Sequence, residues 1–201
     1  NEKTIQVSVE SISAEDAVIS GEFPILSPPH KIIASPPPPA QVMTSPGTVD
    51  SYPVQAGEKD YILASIKLTT DKKVVIQSVK WNQPGSGGNR NWANIKTRVD
   101  GLSHDATQFL DGKSLTSNFN VTLNPGVTKE VSLTGDFISG ASDYWWSFDI
   151  YRANDIHITD EEGNIIIPKA EQEQLWNYEN SGGFRSGSPW YDGLRIKVKN
   201  E

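Results

Sequence analysis

The chain has 201 residues, a formal net charge of −7 at pH 7, a pI near 5.0 and no cysteine. This length accommodates one large or two small domains with a real core, and the acidic balance argues against nucleic acid or an anionic membrane as the main partner. The lack of cysteine excludes disulfides and thiolate metal sites, and no apolar run approaches the roughly 18 residues of a membrane-spanning helix.

The first segment predicts a strand followed by a proline-rich linker. In Lys3–Val9 apolar and polar residues alternate, which places Ile5, Val7 and Val9 on one face. Proline then becomes frequent, up to the run Pro36–Pro39, and favours an extended, semi-rigid spacer. We therefore expect three parts: an N-terminal strand segment over residues 1–23, a linker over 24–47 and a β-sandwich domain over 48–201.

The N-terminal residue also suggests where the protein is found. The chain begins at Asn1 rather than at methionine, as if a signal peptide had been removed. Disulfides are common outside the cell but not obligatory, so their absence is compatible with secretion. We expect an extracellular or cell-surface location.

Residues 61–91 predict two strands and a loop. Alternation in Tyr61–Thr69 places four apolar residues on one face: Ile62, Ala64, Ile66 and Leu68. The charged residues Asp71–Lys73 form the predicted turn, and Val74–Trp81 forms the next strand. The Gly- and Asn-rich residues 82–91 predict a long flexible loop.

Residues 119–158 carry the clearest strand pattern. Apolar residues alternate with polar ones in Phe119–Leu123, and larger side chains do so in the aromatic block Tyr144–Tyr151. Such alternation indicates half-buried antiparallel strands, with Trp146 pointing inward and Trp145 outward. Strands and turns recurring every 8–12 residues or so are typical of a sandwich or barrel.

The C-terminal region departs from this pattern. Pro168–Tyr178 begins with proline and continues with good helix formers, so a short helix is predicted there. A Gly- and Ser-rich loop with three aromatic residues follows, and the chain closes on alternating Leu194, Ile196 and Val198. The basic outer face of this last strand is a common protection of a sheet edge.

Several segments between Gly57 and Ile158 resemble a known module. They are Asn94-Ile95-Lys96 leading to Asp100-Gly101, the strand Phe119–Leu123, Pro125–Lys129 leading into Val131–Leu133, and Gly135-Asp136-Phe137. Together they are similar to an immunoglobulin-like β-sandwich module of prokaryotic cell-surface and S-layer-type proteins. The resemblance implies an extracellular, non-enzymatic building block. We expect an all-β fold, an antiparallel immunoglobulin-like β-sandwich with a Pro-rich N-terminal segment and at most one short helix.

The sequence offers little for catalysis. Three histidines, His30, His104 and His157, are scattered along the chain, and motifs for a nucleophile elbow, a zinc protease or a phosphate loop are absent. We expect no enzymatic activity and no cofactor or metal. The acidic segment Asp155–Asn164 leaves two interpretations open, a calcium site of oxygen ligands and a solvated acidic turn.

Three aromatic residues are candidates for contact with a ligand or a neighbouring subunit: Trp145, Trp190 and Tyr191. Flat rings give a large contact area at a low entropy cost, which suits a sugar face or a protein surface. Asn120-Val121-Thr122 matches the N-glycosylation acceptor pattern, so Asn120 is a candidate modification site.

The N-terminal strand on its proline-rich tether predicts assembly. It could pair within its own chain, or add to an open sheet edge of the next molecule with Ile5, Val7 and Val9 as inserted side chains. We expect a structural subunit of an extracellular filament, pilus or surface layer, a homopolymer that assembles by donor-strand complementation. The alternative is a carbohydrate-binding β-sandwich module whose partner is a surface polysaccharide.

Overall fold

The computed structural model describes residues 3–5, 8–9, 25–26, 30–32, 37–50, 53–108, 113–140, 143–171 and 183–198. The chain divides into two compact units, Asn1–Pro38 and Pro39–Glu201. Helical structure over the described residues is limited to two short 3-10 turns, Asn89–Asn91 and Ala153–Asp155.

The first unit contains two short antiparallel strand pairs, one after the other along the chain. Together we call them the N-terminal ladder. Its strands are β1 (Lys3–Ile5), β2 (Ser8–Val9), β3 (Ile25–Leu26) and β4 (His30–Ile32). β1 pairs with β4, and β2 pairs with β3. The predicted N-terminal strand therefore pairs with part of the segment that was expected to be a linker. This is possible because β3 and β4 lie between prolines, so their own N–H groups stay available while the prolines favour an extended backbone.

The second unit is built from fourteen described strands. They are β5 (Val42–Pro46), β6 (Tyr61–Thr70), β7 (Val74–Asn82), β8 (Trp92–Val99), β9 (Leu102–Asp105), β10 (Thr107–Gln108), β11 (Ser114–Leu123), β12 (Thr128–Phe137), β13 (Trp145–Trp146), β14 (Ile156–Asp160), β15 (Lys169–Ala170), β16 (Gly183–Phe184), β17 (Tyr191–Asp192) and β18 (Ile196–Lys197).

Two main sheets organise these strands. The larger has the order β15-β5-β6-β12-β8-β9, and the smaller has the order β10-β11-β7-β14. Neighbouring strands are antiparallel except for β15 beside β5. The pairs β13–β18 and β16–β17 are also antiparallel. The expected all-β sandwich is confirmed.

The two sheets share one apolar core. Ile66 and Leu133 come from the larger sheet, Ile76 and Ile158 from the smaller one, and all four side chains are fully buried. In the smaller sheet the residues that flank Ile76 and Ile158 are more exposed, as period-2 alternation predicts, whereas Ser65, Ser132 and Thr134 of the larger sheet are also buried. Full burial of such a side chain contributes roughly 1.5–3 kcal/mol.

The alternation predicted for β6 holds only as far as a bulge at Leu63. Leu133 and Thr134 are adjacent in β12, yet they pair with Ala64 and Ile62, so Leu63 is an extra residue. Because one inserted residue reverses the inward and outward positions beyond it, Leu63 is buried and Ile62 is only half-buried. The placement of Ile62 on the core face was wrong for this reason.

The chain passes between the sheets at both sides of the sandwich. On one side β9 pairs with β8 of the larger sheet and the next strand, β10, pairs with β11 of the smaller sheet. On the other side Ile165 pairs with Thr159 of β14, and β15 then pairs with β5. Asp100 and Gly101, both with positive φ, form the predicted turn between β8 and β9.

The start of the sandwich differs from the predicted boundary at residue 48. β5 lies inside the predicted linker, and its pairing with β6 makes it part of the larger sheet. Val42 and Thr44 are buried there, because alternation continues through this segment. The second unit therefore begins at Pro39.

The predicted short helix also begins differently. Lys169 and Ala170 are extended and pair in parallel with Met43 and Thr44. The hydroxyl of Thr44 donates to the carbonyl of Lys169 at 3.0 Å, which holds the segment against the sheet. Residues 172–178 of the predicted helix lie outside the described residues.

Candidate functional site

The two adjacent tryptophans of β13 differ in burial, as their alternation predicts. Trp146 is fully buried, whereas Trp145 is half-buried. The guanidinium carbon of Arg195 lies 4.2 Å from the centroid of the Trp145 ring, which is a cation–π contact. A sugar could stack on this face of Trp145 only by displacing Arg195.

Trp190 and Tyr191, the other two aromatic candidates, pack against the core. The Trp190 ring lies 4.6 Å from that of Phe184 in an edge-on arrangement. Tyr191 is 1% exposed, and this burial raises the pKa of its hydroxyl. The hydroxyl donates to the carbonyl of Ser65 at 3.1 Å. Tyr191 is therefore a core residue rather than a surface contact. The Gly-rich sequence around it gave no sign that its ring fills space inside the sandwich.

Five rings pack together in what we call the aromatic cluster: Tyr61, Trp92, Phe137, Trp146 and Phe148. Trp92 is central, with ring centroids 4.9 Å from Phe137, 5.8 Å from Trp146, 5.9 Å from Tyr61 and 6.5 Å from Phe148. Edge-on and tilted pairs of this kind stabilise beyond their buried area. The sequence does not single out Trp92, because it directly follows a Gly- and Asn-rich loop.

That loop is packed onto β13 and is not the free loop predicted for residues 82–91. The N–H of Gly87 donates to the carbonyl of Trp145 at 3.0 Å, and the indole N–H of Trp146 donates to the carbonyl of Gly88 at 3.2 Å. Gly85 and Gly87 are buried, and a Cβ on Gly87 would lie 2.1 Å from the Trp146 ring. Glycine is needed here for close approach of the backbone to tryptophan.

Asp149 is a buried carboxyl beside the aromatic cluster. It is 2% exposed, and it accepts a hydrogen bond from the N–H of Gly193 at 2.9 Å. Its pKa is raised to about 7, chiefly by burial and also by the nearby charge of Asp192, although the bonds from Gly193 and Ser147 and the charge of Arg185 oppose the shift. Asp149 therefore links the C-terminal segment to the sandwich through a group that titrates near neutral pH.

The acidic turn offered as a calcium site is held by its own hydrogen bonds. The Asp160 carboxylate accepts bonds from the Asn164 side chain and from the N–H groups of Glu162 and Asn164, which lower its pKa. Gly163 has φ +84°, as the tight turn requires. Among the described residues, no group of three or more acidic or histidine side chains is arranged to hold a metal ion.

Asn120 has an exposed side chain at an irregularity of β11. Asn118 pairs with Ser78 but Val121 pairs with Ile76, so two residues of β11 face one of β7. Asn120 lines a depression of about 440 Å³ together with Gln77, Ser78, Asn118, Phe119 and His157. An N-linked glycan could reach solvent from this position.

The histidines occupy three separate strands. His30 belongs to β4, His104 to β9 and His157 to β14. The His104 ring lies 5.0 Å from that of Phe119, and His157 is exposed.

A further apolar feature lies on the segment between the two sheets, residues 163–168, which we call the isoleucine edge. Ile165 and Ile167 are 64% and 51% exposed, while Ile166 between them is buried. The N–H of Ile166 donates to the carbonyl of Ile158 at 2.9 Å, which fixes the segment beside β14. The three isoleucines are visible in the sequence, but alternation alone does not show which side of the segment has a partner.

The three residues predicted to insert into a neighbour belong to the first unit. Ile5 lies in β1 and Val9 in β2. Val7 lies outside the described residues.

No family model matches the chain, and no curated protein matches it. One solved structure, described as BslA, a bacterial hydrophobin, aligns with 83% of this chain and 98% of its own at 14% identity. The TM-score of 0.27 is too low for any argument about fold or function. Among the described residues, no helix is long and apolar enough to cross a membrane.

Proposed function

We propose that this protein is a structural subunit of an extracellular filament, pilus or surface layer, in which residues 3–9 of one copy add as a strand to a sheet of the next. The observation that carries the proposal is the N-terminal ladder. It belongs to a separate compact unit and is two strands wide over its described residues. A two-stranded sheet is at best marginally stable in water, so such a unit gains by pairing with a further strand.

Pairing within the chain does not prevent pairing between chains. Each strand of a two-stranded sheet uses one edge for its partner and leaves the other edge open. β1 and β2 could thus keep β4 and β3 as neighbours while their second edge joins another copy. Main-chain hydrogen bonds would supply affinity, and alternate Ile5, Val7 and Val9 would supply specificity.

The division into two units suits a growing polymer. A contact between the first unit of one copy and the second unit of the next joins two different surfaces, and it generates a filament when the rotation between copies does not close a ring. The sequence has four consecutive prolines, residues 36–39, at the boundary between the two units along the chain, and such a run favours a semi-rigid tether. The sandwich itself serves as the rigid body of the repeat.

The test is assembly of the purified full-length protein, followed by sedimentation and electron microscopy. A variant lacking residues 1–23 should remain monomeric, and so should the triple variant Ile5→Lys, Val7→Lys and Val9→Lys. The matched control places the same charges on the polar face of the strand: Thr4→Lys, Gln6→Lys and Ser8→Lys. Polymerisation of the truncated variant at the wild-type concentration would overturn the proposal.

An extracellular location and a non-enzymatic role form part of the same proposal. Protease added to intact cells should degrade the protein without lysis. Protection from protease until the cells are lysed would contradict a surface location.

The alternative of a carbohydrate-binding module has weaker support. Arg195 covers one face of Trp145, and Tyr191 is inside the core. Pull-down on insoluble polysaccharide, with Trp145→Ala and Trp190→Ala as controls, separates the two functions. Binding that these substitutions abolish would favour the carbohydrate module.

A further inference from the structure

Two irregularities coincide in β7, the strand of the smaller sheet that lies between β11 and β14. Ser78 is the common partner of Asn118 in β11 and of His157 in β14. On both sides the next paired residue of β7 is Ile76, so Gln77 has no directly opposite partner in either neighbouring strand. Bulges of this kind redirect side chains and are frequent beside functional sites.

The irregular point lies in the depression of about 440 Å³ that also contains Asn120, which we call the polar depression. Ile76 is buried in the core, and alternation places Asn118, Ser78 and His157 on the opposite, outer face of the sheet. Because these three residues are directly opposite one another, their side chains form a row across three strands. At about 4.8 Å between strands, the row spans roughly 10 Å.

Most hydrogen-bonding groups of the polar depression are unused within the protein. Gln77 donates from Nε2 to the hydroxyl of Thr159 at 3.2 Å, which leaves its amide oxygen as an acceptor. Four other lining side chains make no hydrogen bond within the part of the chain that the structure describes: Ser78, Asn118, Asn120 and His157. The polar depression therefore presents several donors and acceptors to solvent from a fixed sheet surface.

A second depression, of about 270 Å³ and lined in part by the larger sheet, has the opposite character. Its Arg98 forms an ion pair with Asp60. Its Glu130 accepts hydrogen bonds from the hydroxyl of Ser65 at 2.7 Å and from the N–H of Thr48. The charged groups of this second depression are thus already engaged within the molecule, whereas the polar groups of the first are available to a ligand.

The lining of the polar depression limits the chemistry of that ligand. It contains no aspartate, glutamate, lysine or arginine, so neither a hard cation nor a phosphate or carboxylate finds a charged partner there. Amide and hydroxyl side chains both donate and accept hydrogen bonds, as the hydroxyls of a sugar do. The net charge of −7 disfavours an acidic polymer.

We infer that the polar depression binds a neutral polysaccharide, with the row Asn118, Ser78 and His157 as its main contact. The inference goes beyond the proposed function and does not depend on assembly. It places the sugar on the outer face of the smaller sheet and not at Trp145. Because the free amide of Asn120 lines the same depression, glycosylation of Asn120 and binding of the polysaccharide exclude each other.

Nuclear magnetic resonance of the purified full-length protein tests the site, because asparagine side-chain NH₂ groups give their own signals. Cellohexaose, mannohexaose and N-acetylchitohexaose serve as neutral probes, and an oligogalacturonate serves as the acidic probe. At least one neutral probe should shift the side-chain signals of Asn118 and Asn120, and the acidic probe should shift neither. If no neutral probe shifts them, or if the acidic probe shifts them equally, the inference is wrong.

Substitutions locate the binding. Asn118→Ala combined with Ser78→Ala removes two hydrogen-bonding groups and should weaken binding of the active probe by about tenfold or more. Thr122→Ala is the matched control, because it changes an exposed residue of the same strand outside the depression and also removes the glycosylation pattern at Asn120. It should bind as wild type does.

Two further results separate this site from the other functions considered. Binding that Trp145→Ala abolishes and the double variant retains would place the sugar at the aromatic residues and overturn the inference. The double variant should polymerise as wild type does in the sedimentation assay. Normal assembly of the wild type without any probe bound would therefore refute the polysaccharide site and leave the proposed function intact.

Discussion

The aromatic cluster and the isoleucine edge are both apolar, but the sandwich uses them differently. The rings of Trp92 and Trp146 are 4% and 0% exposed, and a loop packs over the end of the sandwich that holds them. Ile165 and Ile167 keep more than half of their surface in solvent. The aromatic cluster therefore stabilises the fold of the molecule itself, whereas the isoleucine edge leaves apolar surface exposed for contact with a second molecule.

The difference comes from local backbone chemistry. Gly85 and Gly87 allow the loop backbone to approach Trp146 closely, so the loop covers the aromatic cluster. At the edge, Ile166 turns inward and its two neighbours must turn outward. Substitutions in the two regions should accordingly separate folding from association.

The largest effect is expected in the aromatic cluster. Trp146→Ala removes a fully buried ring that contacts Trp92 and Phe137, so the free energy of unfolding should fall by roughly 3–5 kcal/mol. Urea denaturation measures it. The adjacent Trp145→Ala loses mainly its contact with Arg195 and should cost about 1 kcal/mol or less. Equal losses at the two positions would contradict the difference in burial.

The second prediction concerns the pH dependence of stability at Asp149. The pKa of this carboxyl is about 7 in the folded protein and ordinarily 3.8, so between these two pH values the folded state binds more protons than the unfolded state. Stability from this group is therefore greatest at low pH and falls by up to about 1.4 kcal/mol per pH unit as pH rises toward 7.

Asp149→Asn removes this charge while it keeps an acceptor for Gly193. The variant should gain stability relative to wild type between pH 4 and 7, and the difference should level off above about pH 7. Thermal unfolding at several pH values measures it. The exposed Asp105→Asn is the control, and a constant offset between Asp149→Asn and wild type across this range would rule out the buried carboxyl as the source.

A smaller effect is expected in the loop that covers the cluster. Gly87→Ala places a methyl group 2.1 Å from the Trp146 ring and should cost roughly 1–3 kcal/mol. Gly88→Ala is the matched control, since its nearest neighbour would lie 3.6 Å away on the flexible Arg90 side chain. Thermal unfolding compares the two variants. Similar melting temperatures would show that the loop shifts to accommodate the methyl group and is not tightly packed against the aromatic cluster.

The smallest effect on folding is expected at the isoleucine edge. Ile165→Thr and Ile167→Thr change exposed positions, so the free energy of unfolding of the monomer should stay within about 0.5 kcal/mol of wild type. Denaturation at a concentration below that of assembly measures it. A loss as large as that of a core position such as Ile166→Thr would mean that the edge is covered within the molecule.

Much of the fold follows from alternation. The strands around Ile66, Leu68 and Leu123 have buried apolar residues where the pattern predicts them, and Trp145 and Trp146 differ in burial as expected. The prediction from alternation fails at Leu63, because the inserted residue of the bulge becomes visible only when the pairing of β6 with β12 is known.

The candidate site was less predictable than the fold. Tyr191 lies in a Gly-rich stretch that gives no period, so its burial depends on space between the sheets that other segments create. The glycines of residues 82–91 predicted a flexible loop. In the structure they allow close packing against the ring of Trp146, which is 58 or more positions away in sequence. Which isoleucine of residues 165–167 faces solvent depends on the neighbouring strand, and no local pattern contains that information.

The strand segment formed by β9 and β10 has a mechanical consequence. Residues 102–105 are bonded to the larger sheet and residues 107–108 to the smaller one, so the two layers share a continuous piece of backbone on that side. A force that separates the two layers on that side must therefore also break the ladder hydrogen bonds of β9 or of β10. This sandwich should resist separation of its two layers better than a sandwich whose layers are joined by loops alone.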